Sequence, residues 1–262
     1  MKIFNKKQND SKNTLTVYWT PASYNPLQES WAAIYRDPEL LLNLIKKQHH
    51  NKVGRMFMCP ATKDALKNVF VILSLLDDTH TLPVDYLKSS TAIKDNNGSQ
   101  IEIIQTGGKI SLMRFRDSSL TNYSNLSYNM KWMFFSDEPV LAKFTAPYFP
   151  TTTPAEGAIF STGKFDIGQW PRVYNLDYHI PFTTEKFQFN VNDHMFYLHV
   201  ETNKKIEFKR FNMSPKIHNM CNESADSPTR YGPLKPLSER YRMAKEAKIK
   251  EQVLSEIRKN LI

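Results

Sequence analysis

Between residues 69 and 211 the chain is a succession of short runs in which apolar and polar side chains alternate, cut at close intervals by Gly, Pro, Asn and Asp. A backbone with period 2 places alternate side chains on opposite faces, so this pattern demands sheet with at least one buried face. VFVILSLL (69–76) is a compact β-branched run of the kind a strand covered on both faces requires. IEIIQTGGKISLMRF (101–115) sets Gly107 and Gly108 between two alternating segments, a two-residue hairpin signal. Further strands are expected at 131–135, 140–144, 173–180, 186–191, 195–200 and 205–211. Short, turn-punctuated strands of this spacing fit a sandwich or jelly-roll-like architecture better than βαβ units. The expected fold class is therefore mainly β, with helical additions at the N- and C-terminal ends.

The flanks read differently. Residues 1–13 form a basic flexible arm, and 14–50 combine an extended LTVYW with two short helices. Asn25-Pro26 and Asp37-Pro38 each place an N-cap residue before a proline suited to the first helical turn. Leu27, Trp31 and Ile34 make one apolar stripe, and Leu40, Leu41, Leu44 and Ile45 the other. The β-rich core domain is expected to span 51–211. Ser, Asn, Pro and Lys dominate 212–236, which reads as a linker, and 237–262 as a C-terminal helix. That helix carries Tyr241, Ala244, Ile249, Val253, Ile257 and Leu261 on a narrow apolar side. It either docks on a neighbouring subunit or folds back over its own sheet.

Charge narrows the function classes. The net charge is +9, but residues 1–13 carry +3 of it and 235–262 carry +4. Basic ends are more often solvated tails or helix faces than a nucleic-acid groove, so a nucleic-acid partner is not favoured. The two cysteines, Cys59 and Cys221, stand far apart and indicate no disulfide framework. No apolar stretch has the length of a signal peptide core or a membrane span, so a location in the cytoplasm, or in a particle assembled there, is expected.

Candidate sites follow from particular residues. In GKFDIGQWPR (163–172), Gly163 and Gly168 are expected to supply positive φ, and Trp170 to plug the end of the sandwich. Arg172 can stack on an aromatic ring, anchor Asp166, or hold a ligand anion. Tyr123 and Tyr128, in the polar NYSNLSYN, are candidates for an exposed partner-contact loop. Asp77, Asp78 and His80 could act as acid and base or hold a cation, but Asp-Asp-Thr before Leu82-Pro83 is ordinary turn chemistry. His179, His194 and His199 would suit a metal only if His194 and His199 shared a face, and strand parity sets them on opposite faces unless a bulge intervenes. Cys59, near His49 and His50, is read as a small buried apolar group rather than a nucleophile. No metal and no cofactor are expected.

The succession YWTPA (18–22), CPA (59–61) ahead of Asn68, TAPYFP (145–150), GKFDIGQWPR and FYLHVETNKKIEFKRF (196–211) resembles a group of uncharacterised proteins of large tailed bacteriophages of marine bacteria. It is also distantly similar to a bacterial family of unknown function with a Cys-Pro stretch and a Trp-containing β half. The resemblance covers most of the chain from Leu15 onward and implies a phage gene product, located in the virion or the host cytoplasm. The expected function is non-enzymatic, as a virion structural or assembly component that contacts other phage proteins or self-associates through the C-terminal helix. The alternatives are a phage auxiliary protein binding nucleic acid or a small anionic ligand in the host, and a hydrolase using Asp77, Asp78 and His80.

Overall fold

The computed structural model describes residues 13–22, 35–48, 59–75, 77–82, 92–94, 100–106, 109–115, 122–149, 153–225, 237–246 and 248–262. The arm at 1–12, the first expected helix with Leu27, Trp31 and Ile34, His49, His50, the Gly107-Gly108 turn and the stretch 226–236 lie outside them.

The chain builds two main sheets, as its alternation requires. In the larger, strands β10 (Ile159–Phe160), β12 (Val173–Pro181), β8 (Tyr123–Ser136), β7 (Lys109–Phe115), β6 (Gln100–Thr106) and β5 (Ala92–Lys94) lie side by side in that order. β1 (Thr14–Pro21) joins the same sheet, antiparallel to β8 and parallel to β15 (Lys205–Arg210), with Leu15 beside Ile206. The smaller sheet runs β11 (Gly163–Asp166), β9 (Leu141–Thr145), β14 (His194–Val200), β3 (Val69–Leu73) and β2 (Glu39–Leu40). A two-stranded ribbon pairs β4 (Asp78–Thr81) with β13 (Lys186–Phe189). Thr106 pairs with Lys109, so the hairpin signalled by the two glycines forms.

The sheets pack face to face around one cluster. Leu15, Val17 and Trp19 of β1, Trp132 and Phe134 of β8, and Tyr174 of β12 meet Phe70, Ile72, Phe144, Phe196 and Leu198 of the smaller sheet. Aromatic rings interlock there: Phe144 stacks on Tyr174 at 4.5 Å between centroids, and Trp132 meets Phe196 edge-on at 5.3 Å. Such pairs add about 0.5–1.5 kcal/mol beyond burial. The expected mainly β sandwich is thus the fold.

Both sheets are also covered outside. Val69, Val71 and Tyr197, on the far face of the smaller sheet, pack with Leu41 and Ile45 of α1 (Leu41–Gln48). The 69–73 run is therefore buried on both faces, as its unbroken hydrophobicity predicts. On the far face of the larger sheet, Tyr18, Met133, Phe135 and Val173 receive Ile217, Met220 and Cys221 of α3 (Pro215–Ala225) and Val253, Leu254 and Ile257 of α5 (Ile249–Lys259). The layers run helix, sheet, sheet, helix.

Several expectations change here. Residues 212–236 do not read throughout as linker, because 215–225 form α3; their apolar residues Ile217, Met220 and Cys221 are spaced to cover one helix face. The 237–262 segment is not one helix. It divides into α4 (Leu237–Glu246) and α5, with Lys248 at φ 52° between them. The second half folds back over its own sheet. Val253 and Ile257 are fully buried, and the end of the chain is stitched to β15 by Asn212 N–H to the Asn260 carbonyl (2.9 Å) and Ile262 N–H to the Arg210 carbonyl (3.1 Å). Asp37 does not cap α1: β2 intervenes, and the Asp37 carboxylate instead accepts the Trp19 indole N–H at 2.8 Å. Nor is 14–50 separate from the core, since β1 lies within the larger sheet. Among the described residues no helix is long and apolar enough to cross a membrane.

Candidate functional site

The GKFDIGQWPR corner is a turn held by a carboxylate and a carbonyl. After β11, Asp166 Oδ1 accepts the backbone N–H groups of Gly168 (2.9 Å) and Val140 (3.2 Å), while the Asp166 carbonyl accepts those of Gln169 (3.3 Å) and Trp170 (3.2 Å). Asp side chains commonly close turns in this way. Ile167, fully buried, ties the corner to both neighbours through Ile167 N–H to the Val140 carbonyl and Ser136 N–H to the Ile167 carbonyl. The glycines act through space rather than positive φ. A Cβ on Gly163 would lie 2.5 Å from the Phe165 ring, and one on Gly168 would lie 1.9 Å from the Glu138 carbonyl oxygen.

Ile167, not Trp170, is the buried plug of this corner. Trp170 is only partly buried, and with Pro139 and Gln169 it forms one wall of a cleft of about 480 Å³. Arg242 and Lys245 of α4 and Lys250 and Glu251 of α5 line the same cleft. The positive φ at Lys248 lets the chain turn between the two helices, so the end of α4 and the first turn of α5 face the same space. Three cations therefore oppose one carboxylate. Arg242 is shared with Glu246 at 2.7 Å, an exposed pair of the kind that holds little energy and is readily exchanged. The first turn of α5 adds the positive end of a helix dipole.

The remaining candidates disperse. Arg172 does not anchor Asp166, whose Oδ1 is taken by backbone; its guanidinium stacks over Phe165 (4.7 Å) and Tyr174 (5.3 Å). Tyr128 is not exposed. It is buried against Phe187 and Phe189, because NYSNLSYN is the first half of β8 rather than a loop. Tyr123 begins that strand and is partly exposed. Neither tyrosine approaches the cleft lining.

Asp77 Oδ1 accepts the Val191 N–H at 2.9 Å, which is loop chemistry. Asp78 and His80 belong to β4 instead of a turn, paired with Phe189 and Phe187 respectively. A bulge lies between His194 and Phe196, so the strict alternation that would set His194 and His199 on opposite faces does not hold. His194 is buried and its Nδ1 hydrogen-bonds with the Tyr197 hydroxyl at 2.8 Å; burial pushes the imidazole below its usual range, partly opposed by Asp193. Burial likewise pushes the Tyr197 phenol up. Among the described residues no three His, Cys, Asp or Glu side chains converge as metal ligands. Cys59 is exposed, not buried, at the start of α2 (Pro60–Ala65), where hydrogen bonds from the Thr62 and Ala61 backbone hold its thiol below the usual range. Cys221 is the buried one, against the Met133 sulfur at 3.5 Å.

The cleft joins one residue singled out in the sequence, Trp170, to partners that were not. The signal for Arg242, Lys245 and Lys250 was the basic excess of 235–262, and nothing local linked that excess to a corner at 163–172. Comparison with known proteins gives no significant match: none to a family model, none to a curated protein and none to a solved structure.

Proposed function

We propose that the protein is a non-enzymatic binding protein: a doubly covered β sandwich that serves as a rigid scaffold and receives an anionic partner in the cleft at Trp170. The observation that carries this is the meeting of Trp170 with Arg242, Lys245 and Lys250 across one cleft. Rigid walls favour binding because little ordering entropy remains to be lost on association. Trp170 follows a turn pinned by Asp166, and the α5 wall is anchored by Val253, Leu254 and Ile257.

The resemblance to tailed-phage proteins makes the favoured setting the virion, as a structural or assembly component. Quantitative mass spectrometry of purified particles tests the setting. A constant copy number per particle supports it, whereas abundance in infected cells with absence from particles would move the protein to the auxiliary class that binds an anionic ligand in the host.

A further inference from the structure

We propose that the cleft at Trp170 binds a nucleotide unit, with the base against Trp170 and the phosphate between the helix ends. This rests on the preceding reading that the cleft receives an anion and specifies its chemistry. A bare phosphate would use the three cations but neither the indole nor Glu251, and the carboxylates of an acidic peptide would meet Glu251 as a like charge. A nucleotide uses all of them. Its planar base matches Trp170 and the Pro139 ring, since every base has a face that stacks. Gln169 offers an amide with both donors and an acceptor, suited to a base edge. Arg242, Lys245, Lys250 and the positive end of α5 suit the phosphate. Glu251 is repulsive toward a pure polyanion, but it accepts hydrogen bonds from sugar hydroxyls or an exocyclic amine. A volume of about 480 Å³ lies within the range of small-molecule sites, roughly 300–1,000 Å³. It has room for one nucleotide unit, whether free or part of a single strand.

The full-length protein decides this by calorimetric titration with adenosine monophosphate, inorganic phosphate and a polyglutamate peptide, and by fluorescence anisotropy with a labelled oligothymidylate. The nucleotide probes should bind more tightly than phosphate or polyglutamate. Trp170→Ala should weaken nucleotide binding roughly tenfold, from the loss of one stacked base, and Trp170→Phe should restore most of it. Lys245→Glu with Lys250→Glu should abolish binding of every anion, and the wild-type binding should weaken steeply with added salt. Tight monophosphate binding identifies a free nucleotide as the source; binding of the oligonucleotide alone identifies a single strand.

Phosphate or polyglutamate binding as tightly as nucleotide, with Trp170→Ala unchanged, overturns the nucleotide assignment and leaves an anion cleft standing. Binding of no anion, or binding indifferent to Lys245→Glu with Lys250→Glu, overturns both. If Trp170→Ala does not fold, Trp170→Phe and the lysine variants still decide the matter.

Discussion

Gly168 and Glu138 meet backbone to backbone: the nearest atom to a Cβ placed on Gly168 would be the Glu138 carbonyl oxygen, 1.9 Å away. No rotamer change relieves a contact with main chain. Gly168→Ala should therefore destabilise the protein by about 2 kcal/mol or more, since the turn and the Glu138 segment must separate. Urea unfolding measures it, and a loss under about 0.5 kcal/mol would show that the corner is not held this tightly.

Trp170 stands on the rim of that corner rather than inside it. Trp170→Ala should cost only about 1–2 kcal/mol, whereas Phe196→Ala, between the sheets, should cost about 3–5 kcal/mol. Parallel thermal melts of the two variants make the comparison. Equal losses would place Trp170 in the core and remove it from the cleft.

The C-terminal helix is part of the body. Ile257→Ala should cost about 2–5 kcal/mol, because the side chain is fully buried with Met133, Phe135 and Ile217 as members of its cluster. Deleting residues 249–262 should abolish cooperative unfolding altogether. A truncated protein that stays folded and monodisperse would mean that the far face of the larger sheet tolerates exposure.

His194 predicts a pH dependence. Burial holds its folded-state pKa below the unfolded value of about 6.5, so the unfolded chain binds the proton first as pH falls. The stability tied to neutral His194 is complete above about pH 6.5 and is lost below it, down to the folded pKa. His194→Gln, which keeps a partner for the Tyr197 hydroxyl, should lose less stability than the wild type between about pH 7 and pH 5. Urea midpoints at the two pH values test this, and parallel slopes would count against it.

What the sequence by itself determined was local. Alternation along 173–180 places Tyr174, Leu176, Tyr178 and Ile180 on one buried face, the β-branched run at 69–73 is covered on both sides, and Leu41 and Ile45 lie on one helical stripe. These follow from the periods of strand and helix, which any short window contains. Tertiary structure decided which face meets which. Tyr128 sits in polar sequence yet is buried, because β13 brings Phe187 and Phe189 over it. β1 finds its parallel neighbour β15 far along the chain, with Thr14 beside Lys205. Trp170 shares a cleft with Lys250 because α5 is drawn onto Met133 and Phe135, so part of the charge excess at the end of the chain comes to line that cleft. Burial of the apolar side of α5 is non-directional and fixed by the shape of the sheet surface, a property that no window of sequence carries.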